Sequence, residues 1–273
     1  MSNWDANIKR IARLHQVMEK PPTARKTTNI KVGVDLGTAL IGLIVVDESG
    51  EPLAGCMEWA SALRDGLVVD YLGAVKVVAR LKEKAEKLLD MPLTEGATAI
   101  PPGTESNNAA VCGHILEAAG LNLTRIMDEP TAAAIALGIQ DGAVVDVGGG
   151  TTGISILRDG KVIYTGDEPT GGTHLTLVVA GSHGISYDEA ELLKRDEQKH
   201  RQLLPVLIPV IQKMAQIAKN HIAGYPVDKI YLVGGATSIA GFEKVFADYI
   251  GLETIKPDHP MLVTPLGIAL NGK

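Results

Sequence analysis

Cysteine is almost missing from this chain. Cys56 and Cys112 are the only two in 273 residues, too few for a disulfide framework and without the spacing of a zinc site. Each stands among apolar neighbours and reads as a reduced, buried thiol. A surplus of positive charge is missing too. The 26 Lys and Arg against 32 Asp and Glu leave a net charge of −6, and no basic block could neutralise a run of phosphates, which excludes nucleic acid as a partner. No long apolar run is present. Met1 to Arg10 lacks a signal peptide's apolar core, and the greasiest stretch, Leu203 to Ala218, is interrupted by Pro205, Pro209, Gln212 and Lys213. A cytoplasmic protein without a membrane span is expected. Aromatic residues are only 4%, but 45% apolar and 21% charged residues are ordinary globular values that exclude disorder and fibrous repeats. At about 150 residues per domain, the length allows one large or two small domains.

Along the chain, Trp4, Ile8, Ile11, Leu14 and Met18 recur at helical intervals with Lys9, Arg10, Arg13 and Gln16 mostly opposite, predicting a short amphipathic helix. Pro21 and Pro22 end it, and Thr23 to Asn29 has the composition of a linker. Ile30–Asp35 and Leu40–Asp47 are β-branched runs that predict a hairpin, and Tyr71–Leu89 a surface helix with a Lys/Glu-rich outer face. Further expected elements are strands over Gly96–Ile100 and Thr124–Met127 and helices over Ser106–Ala119 and Pro130–Leu137. The second half starts again in the same way, with strands over Gly142–Val147, Gly153–Leu157 and Lys161–Thr165. Helices over Tyr187–Arg201 and Pro205–Ala223, a strand over Lys229–Val233, and helices near Gly241–Tyr249 and after Pro265 complete it. The correspondence of Asp35-Leu36-Gly37-Thr38 with Asp146-Val147-Gly148-Gly149-Gly150-Thr151 implies an internal duplication.

The chemical signal lies in three glycine-rich strand exits: Gly33 to Thr38, Asp146 to Thr151, and Val233-Gly234-Gly235-Ala236-Thr237. Glycine permits tight turns whose N–H groups converge on an anion, and threonine adds a hydroxyl, so two opposed turns of this kind could hold a polyphosphate. An aspartate at the end of a buried strand needs a partner. A hydrated Mg2+ on phosphates would supply one to Asp35 and Asp146, since magnesium takes few carboxylates and keeps its waters; capping of the following turn is the other use of such an aspartate. The seven histidines have no ligand spacing, and no Ser-His-Asp arrangement is evident.

These motifs resemble those of the actin-like ATPase superfamily, which includes sugar kinases, DnaK-type chaperones and MreB-type filament proteins. Asp35 to Thr38 is similar to its first phosphate motif, Asp146 to Thr151 to its second, and Leu232 to Thr237 to its adenosine motif. Met127 to Ala134 resembles the first connecting helix of the chaperone and filament branches, and Pro265 to Leu270 the second. All five stand in family order over Ile30 to Gly272. The resemblance implies an α/β, actin-like ATPase fold of two similar, ribonuclease H-like lobes with mixed sheets flanking a nucleotide cleft, the outer subdomains reduced. Its expected divisions are 1–28 for the helix and linker, 29–140 for lobe I, 141–260 for lobe II and 261–273 for a helix returning to lobe I. ATP and Mg2+ are the implied cofactors. Gly37, Thr38, Gly148, Gly149, Gly150 and Thr151 would surround the phosphates, Asp35 and Asp146 would hold magnesium through water, and Glu129 would position water or magnesium. Gly171 and Gly172 would contact the nucleotide, and Gly234, Gly235 and Thr237 its adenosine. Glu191, Lys194 and Arg195 match an adenosine-flanking helix; their spacing puts them on one helical face, where they serve either one ligand or a solvated surface.

The whole chain further resembles a chaperone-like branch associated with ethanolamine-degrading bacterial microcompartments. That implies pathway enzymes or shell proteins as partners, and gives the amphipathic start two open uses: shell targeting, or packing on its own domain. Three departures imply slow hydrolysis. Ala39 replaces a second threonine, Ser238 stands without the chaperones' adenine-stacking arginine, and the short Val45–Tyr71 segment has no counterpart of their catalytic lysine. The expected function is a nucleotide-binding, chaperone-like accessory protein; alternatives are a non-hydrolysing scaffold, a filament former or, less favoured, a small-molecule kinase.

Overall fold

The computed structural model describes residues 3–20, 29–64 and 66–272; the linker expected over Thr23–Asn29 falls, but for Asn29, outside them. The chain forms two compact units, Met1–Ile139 with Leu262–Lys273, and Gln140–Met261. The first unit runs α1 (Asn3–Glu19), β1 (Ile30–Leu36), β2 (Leu40–Asp47), β3 (Pro52–Trp59), β4 (Leu63–Arg64), β5 (Leu67–Val68), α2 (Tyr71–Leu89), β6 (Glu95–Ile100), α3 (Ser106–Ala118), β7 (Asn122–Asp128) and α4 (Glu129–Leu137). The second runs β8 (Gly142–Val147), β9 (Thr152–Arg158), β10 (Lys161–Glu168), α5 (Gly172–His183), α6 (Tyr187–Arg195), α7 (His200–Ile222), β11 (Lys229–Val233), α8 (Phe242–Ile250) and β12 (Glu253–Ile255). The chain then returns to the first unit as α9 (Val263–Leu270).

Each unit holds a five-stranded mixed sheet, ordered β3-β2-β1-β6-β7 in the first and β10-β9-β8-β11-β12 in the second. The two orders are one topology. In each, three antiparallel strands linked as hairpins are extended by two parallel strands. The duplication implied by the two Asp-Gly-Thr exits is therefore a duplication of the sheet. β1 shows why both faces need covering. Val32, Val34 and Leu36 join the core formed with α2 and α3, while the intervening Gly33 meets α9, as the period of two requires.

On that second face the residues are small, and backbone approaches backbone. A Cβ on Gly33 would lie 2.3 Å from the Ala269 nitrogen, and one on Gly267 only 1.8 Å from the Ala132 carbonyl oxygen of α4. No side chain fits in either place. Ala97, Ala99, Ala132 and Ile268 fill the remaining space as a small separate core. α1 packs on β3 of the same unit: Ile11, Leu14 and Val17 are buried, and Gly55 leaves room for Leu14 and Met18. Of the two uses open to this helix, the structure shows packing on its own unit, along a face centred on Asn7, Ile11 and Leu14 with Trp4 and Ile8 half-buried.

Two helix boundaries differ from expectation. The helix expected over Tyr187–Arg201 stops at Arg195, because the Asp196 carboxylate accepts the Gln198 amide (3.0 Å) and starts a 3-10 turn over Glu197–Lys199. The helix expected from Pro205 begins at His200 and runs unbroken through Pro205 and Pro209. Both prolines are exposed, so the carbonyls deprived of a donor lie on the wet side of the helix, where water replaces the bond. Pro52–Trp59, buried on both faces over much of its length, lacks the alternation that marks a strand. Among the described residues no helix is long and apolar enough to cross a membrane.

Gly267→Ala is expected to cost roughly 3 kcal/mol or more, since two backbones must separate. Gly181→Ala, on α5 with open space around it, is expected to stabilise by about 0.5 kcal/mol. Urea unfolding of both variants checks the contrast.

Candidate functional site

In the first unit β1, β6 and β7 are parallel, so Asp35, Ile100 and Asp128 come to the same edge of the sheet. Asp35 is half-buried opposite Gly42 of β2, and Gly37, Thr38 and Ala39 form the tight turn between the two strands. Asp128 caps α4 by accepting the Thr131 amide at 2.9 Å, which fixes Glu129 as the first helical residue. The structure thus brings Asp35 and Glu129 to one sheet edge, with β6 between their strands. Asp128 was not singled out from the sequence, although an Asp directly before Glu-Pro and a small-residue run is a helix-start signal. Cys112 lies near Glu129: burial pushes its thiol up to about 11, and the carboxylate adds to the shift. Cys56 is raised by burial as well, against the pull of Lys84; both thiols are free, buried and protonated at neutral pH.

In the second unit Asp146 is buried near the end of β8, between Gly153 of β9 and Val233 of β11. The exit of β11 passes directly over it. Gly234 has φ +90°, and a Cβ there would come within 2.3 Å of the Asp146 Oδ1. Only glycine allows this crossing. The following 3-10 turn, Gly235–Ser238, leaves Gly235 and Ser238 exposed, while the buried Thr237 hydroxyl donates to the Gly234 carbonyl at 2.8 Å.

The loop Gly148–Thr151 is fixed from behind by the start of α5. Gly172 N–H donates to the Gly148 carbonyl (2.9 Å), Thr173 N–H donates to the Gly149 carbonyl (2.8 Å), and the Thr173 hydroxyl donates to the same oxygen (2.9 Å). Thr152 Oγ1 donates to the Thr170 carbonyl at 2.6 Å. Among the described residues no peptide bond is cis. In a planar trans peptide the N–H points opposite to the carbonyl, so these bonds turn the Gly149 and Gly150 N–H groups away from α5. Two successive N–H groups held on one side make an anion-binding concavity. The donor set fits a phosphate. The amides of Gly171 and Gly172 are themselves engaged, by His174 Nδ1 (3.3 Å) and the Gly148 carbonyl, so this pair acts as the support of the loop.

Glu191 and Lys194 are turned toward α5, while Arg195 stays exposed and joins them through Glu191. The Lys194 and Glu191 side chains are only 13% and 14% exposed. Lys194 Nζ donates to Glu191 Oε2 (2.7 Å), Thr176 Oγ1 (2.8 Å) and the Gly172 carbonyl (3.2 Å), and Arg195 Nε donates to Glu191 Oε1 (2.9 Å). Burial raises the Glu191 carboxyl, yet Lys194, Thr176 and Arg195 together hold it below the usual carboxylate range. Burial lowers the Lys194 ammonium, opposed by Glu191. Two residues here carried no sequence signal. Thr176 lies between both charges, and the buried His200 accepts the Ala240 amide at Nδ1 (3.1 Å) while its Nε2 donates to the Lys194 carbonyl (3.0 Å). His200 thus ties the end of α6 to the stretch after the Gly235–Ser238 turn. Among the described residues no cluster of His, Cys, Asp or Glu forms a dedicated metal cage.

Known proteins match along the whole chain. The type IV pilus assembly protein PilM family matches residues 122–263, and the MreB/Mbl protein family residues 54–181. The ethanolamine utilization protein EutJ of Salmonella typhimurium is 41% identical over 92% of this chain and 88% of that protein. The crystal structure of the ethanolamine utilization protein EutJ of Carboxydothermus hydrogenoformans is 50% identical, covers 98% of this chain and 99% of that one, and superposes with TM-score 0.94. MreB5 of Spiroplasma citri bound to AMPPNP, at 16% identity, covers 88% of this chain and 95% of that one with TM-score 0.70. The fold is the actin-like ATPase fold.

Because the folded carboxyl of Glu191 is depressed, its contribution to stability is present above the unfolded value of about 4.3 and is lost as pH falls through the folded value. Glu191→Gln is therefore expected to be less stable than the parent at pH 7, with the difference shrinking progressively below about pH 4.3. Urea midpoints across that range test the sign.

Proposed function

The chain belongs to the family of the ethanolamine utilization protein EutJ, and on that premise we propose that it is a nucleotide-binding, chaperone-like accessory protein of ethanolamine utilisation that takes ATP or ADP with Mg2+. The observation that carries this is the Gly148–Thr151 loop, whose Gly148 and Gly149 carbonyls are bound by the start of α5 so that the Gly149 and Gly150 N–H groups are aimed away from it. Mg2+-bound triphosphate supplies charge for Asp146 and acceptor oxygens for the amides.

In this assignment Gly37, Thr38 and Asp35 perform in the first unit what Gly148 to Thr151 and Asp146 perform in the second, and Asp35 and Asp146 act on magnesium through water. Glu129, fixed as the first residue of α4, holds a water. Gly234, Gly235 and Thr237 shape the adenosine side, while Glu191, Lys194 and Arg195 of α6 stand behind the start of α5. Hydrolysis is slow, since Ala39 offers no hydroxyl and the short Val45–Tyr71 segment holds no counterpart of the chaperones' catalytic lysine. Pathway enzymes or the proteins of a microcompartment shell are the partners that such an accessory protein would serve.

Titration calorimetry with ATP and Mg2+ is expected to show binding, with Asp146→Asn and Asp35→Asn each weakening it about tenfold or more, the scale of one charge-assisted contact. Absence of both heat and a thermal shift at millimolar nucleotide rejects the assignment. Steady-state phosphate release distinguishes slow turnover from binding alone.

A further inference from the structure

Lys194 sits on the start of α5, which supports the phosphate loop from behind, and is joined to the loop by two peptide groups in series. Its ammonium donates to the Gly172 carbonyl (3.2 Å). The same peptide unit ends in the Thr173 N–H, which donates to the Gly149 carbonyl (2.8 Å). That second peptide unit ends in the Gly150 N–H. Carbonyl and N–H lie at opposite ends of each planar group, so a buried cation stands at one end of an aligned hydrogen-bonded chain and the Gly150 N–H at the other. A charge at the head of such a chain polarises each link and strengthens the last donor, most of all in a low-dielectric interior.

The three N–H donors of Lys194 match three acceptors inside the protein: Glu191 Oε2, Thr176 Oγ1 and the Gly172 carbonyl. With its side chain 13% exposed, the ammonium has its donors spent before any ligand arrives. The buried Thr176 hydroxyl accepts from Lys194 and donates to Glu191 Oε2, and so fixes the ammonium beside the Gly172 carbonyl. Glu191 keeps the cation charged, and Arg195 on the other Glu191 oxygen leaves the group of three with a net positive charge.

We propose that Lys194 is a positioning residue, which orients and polarises the Gly149–Gly150 amides for an anionic phosphate and does not itself contact the nucleoside. This rests on the nucleotide assignment above, and departs from the adenosine-contacting use expected of this helix. The ligand property it controls is phosphate affinity.

The test has one arm without ligand and one with it. In ligand-free protein, Lys194→Met and the milder, isosteric Thr176→Val are expected to shift the Gly150 amide proton resonance and speed its hydrogen exchange, while amides of α7 and α8 keep their protection. In titrations, Lys194→Met is expected to weaken ADP and inorganic pyrophosphate about tenfold, the scale of one charge-assisted hydrogen bond, with adenosine affinity unchanged and Lys194→Arg recovering part of the loss. An unmoved Gly150 amide in both variants overturns the proposal. So does an equal loss for adenosine and ADP, which would put the lysine on the nucleoside. If the parent protein binds neither nucleotide nor pyrophosphate, the nucleotide assignment fails, and the Gly150 resonance alone still decides whether the lysine acts along the peptide chain.

Discussion

The close approach of α9 to α4 and β1 is the constraint on which the first unit depends. Helices ordinarily pack at 8–10 Å through interdigitated side chains; here Gly267 meets a carbonyl oxygen and Gly33 meets a backbone nitrogen, with no side chain between. The contact needs small residues on every surface involved, and Ala97, Ala99 and Ala132 supply them. It also joins parts of the chain far apart in sequence. The chain leaves the first unit after α4 and re-enters it at α9, so the second unit is inserted between two helices that touch. Further bonds fasten the returning segment: Lys31 Nζ to the Leu270 carbonyl, Thr124 Oγ1 to the Gly272 carbonyl, and Arg125 to Asn271.

The second unit uses backbone in another way. A glycine loop is free to adopt many conformations, and that freedom works against binding unless something else orders it. Here the order comes from the start of α5, whose N–H groups hold the loop by its carbonyls. The positive end of the helix dipole thus acts on the loop first, and only through it on the far side. Preorganisation of this kind gives a use to Glu191 and Lys194 of α6, which are turned inward. A lysine beneath the first turn of α5 stiffens the support without occupying the space in front of the loop.

Much of this was legible in the sequence, because its signals are local. The Asp-Gly-Thr exits, the β-branched runs before them and the helical period of Tyr71–Leu89 each follow from a few neighbouring residues, and the repeat of the first exit in the second implied the common sheet topology. What could not be read depends on the opposite surface. The charges at 191, 194 and 195 have the period of either a wet face or a binding face, and only the presence of Thr176 and the Gly172 carbonyl decides where they point. Pro205 and Pro209 break a helix by propensity, but both lie where water repairs the loss. The amphipathic start put Trp4, Ile8, Ile11, Leu14 and Met18 on one face, whereas packing on β3 buries Asn7, Ile11, Leu14 and Val17 and leaves Trp4, Ile8 and Met18 half-buried.

The order of the chain gives the returning helix a consequence for biosynthesis. A ribosome makes α9 only after the whole second unit has been threaded out, so until then Ala97, Ala99 and Ala132 line a face with no cover. The second unit can collapse on its own core meanwhile, but the first must wait for residues more than a hundred positions downstream, a separation that slows completion. Nascent molecules therefore pass through a stage with one finished half and one unsealed half, and it is the unsealed half that needs protection from its neighbours on the polysome.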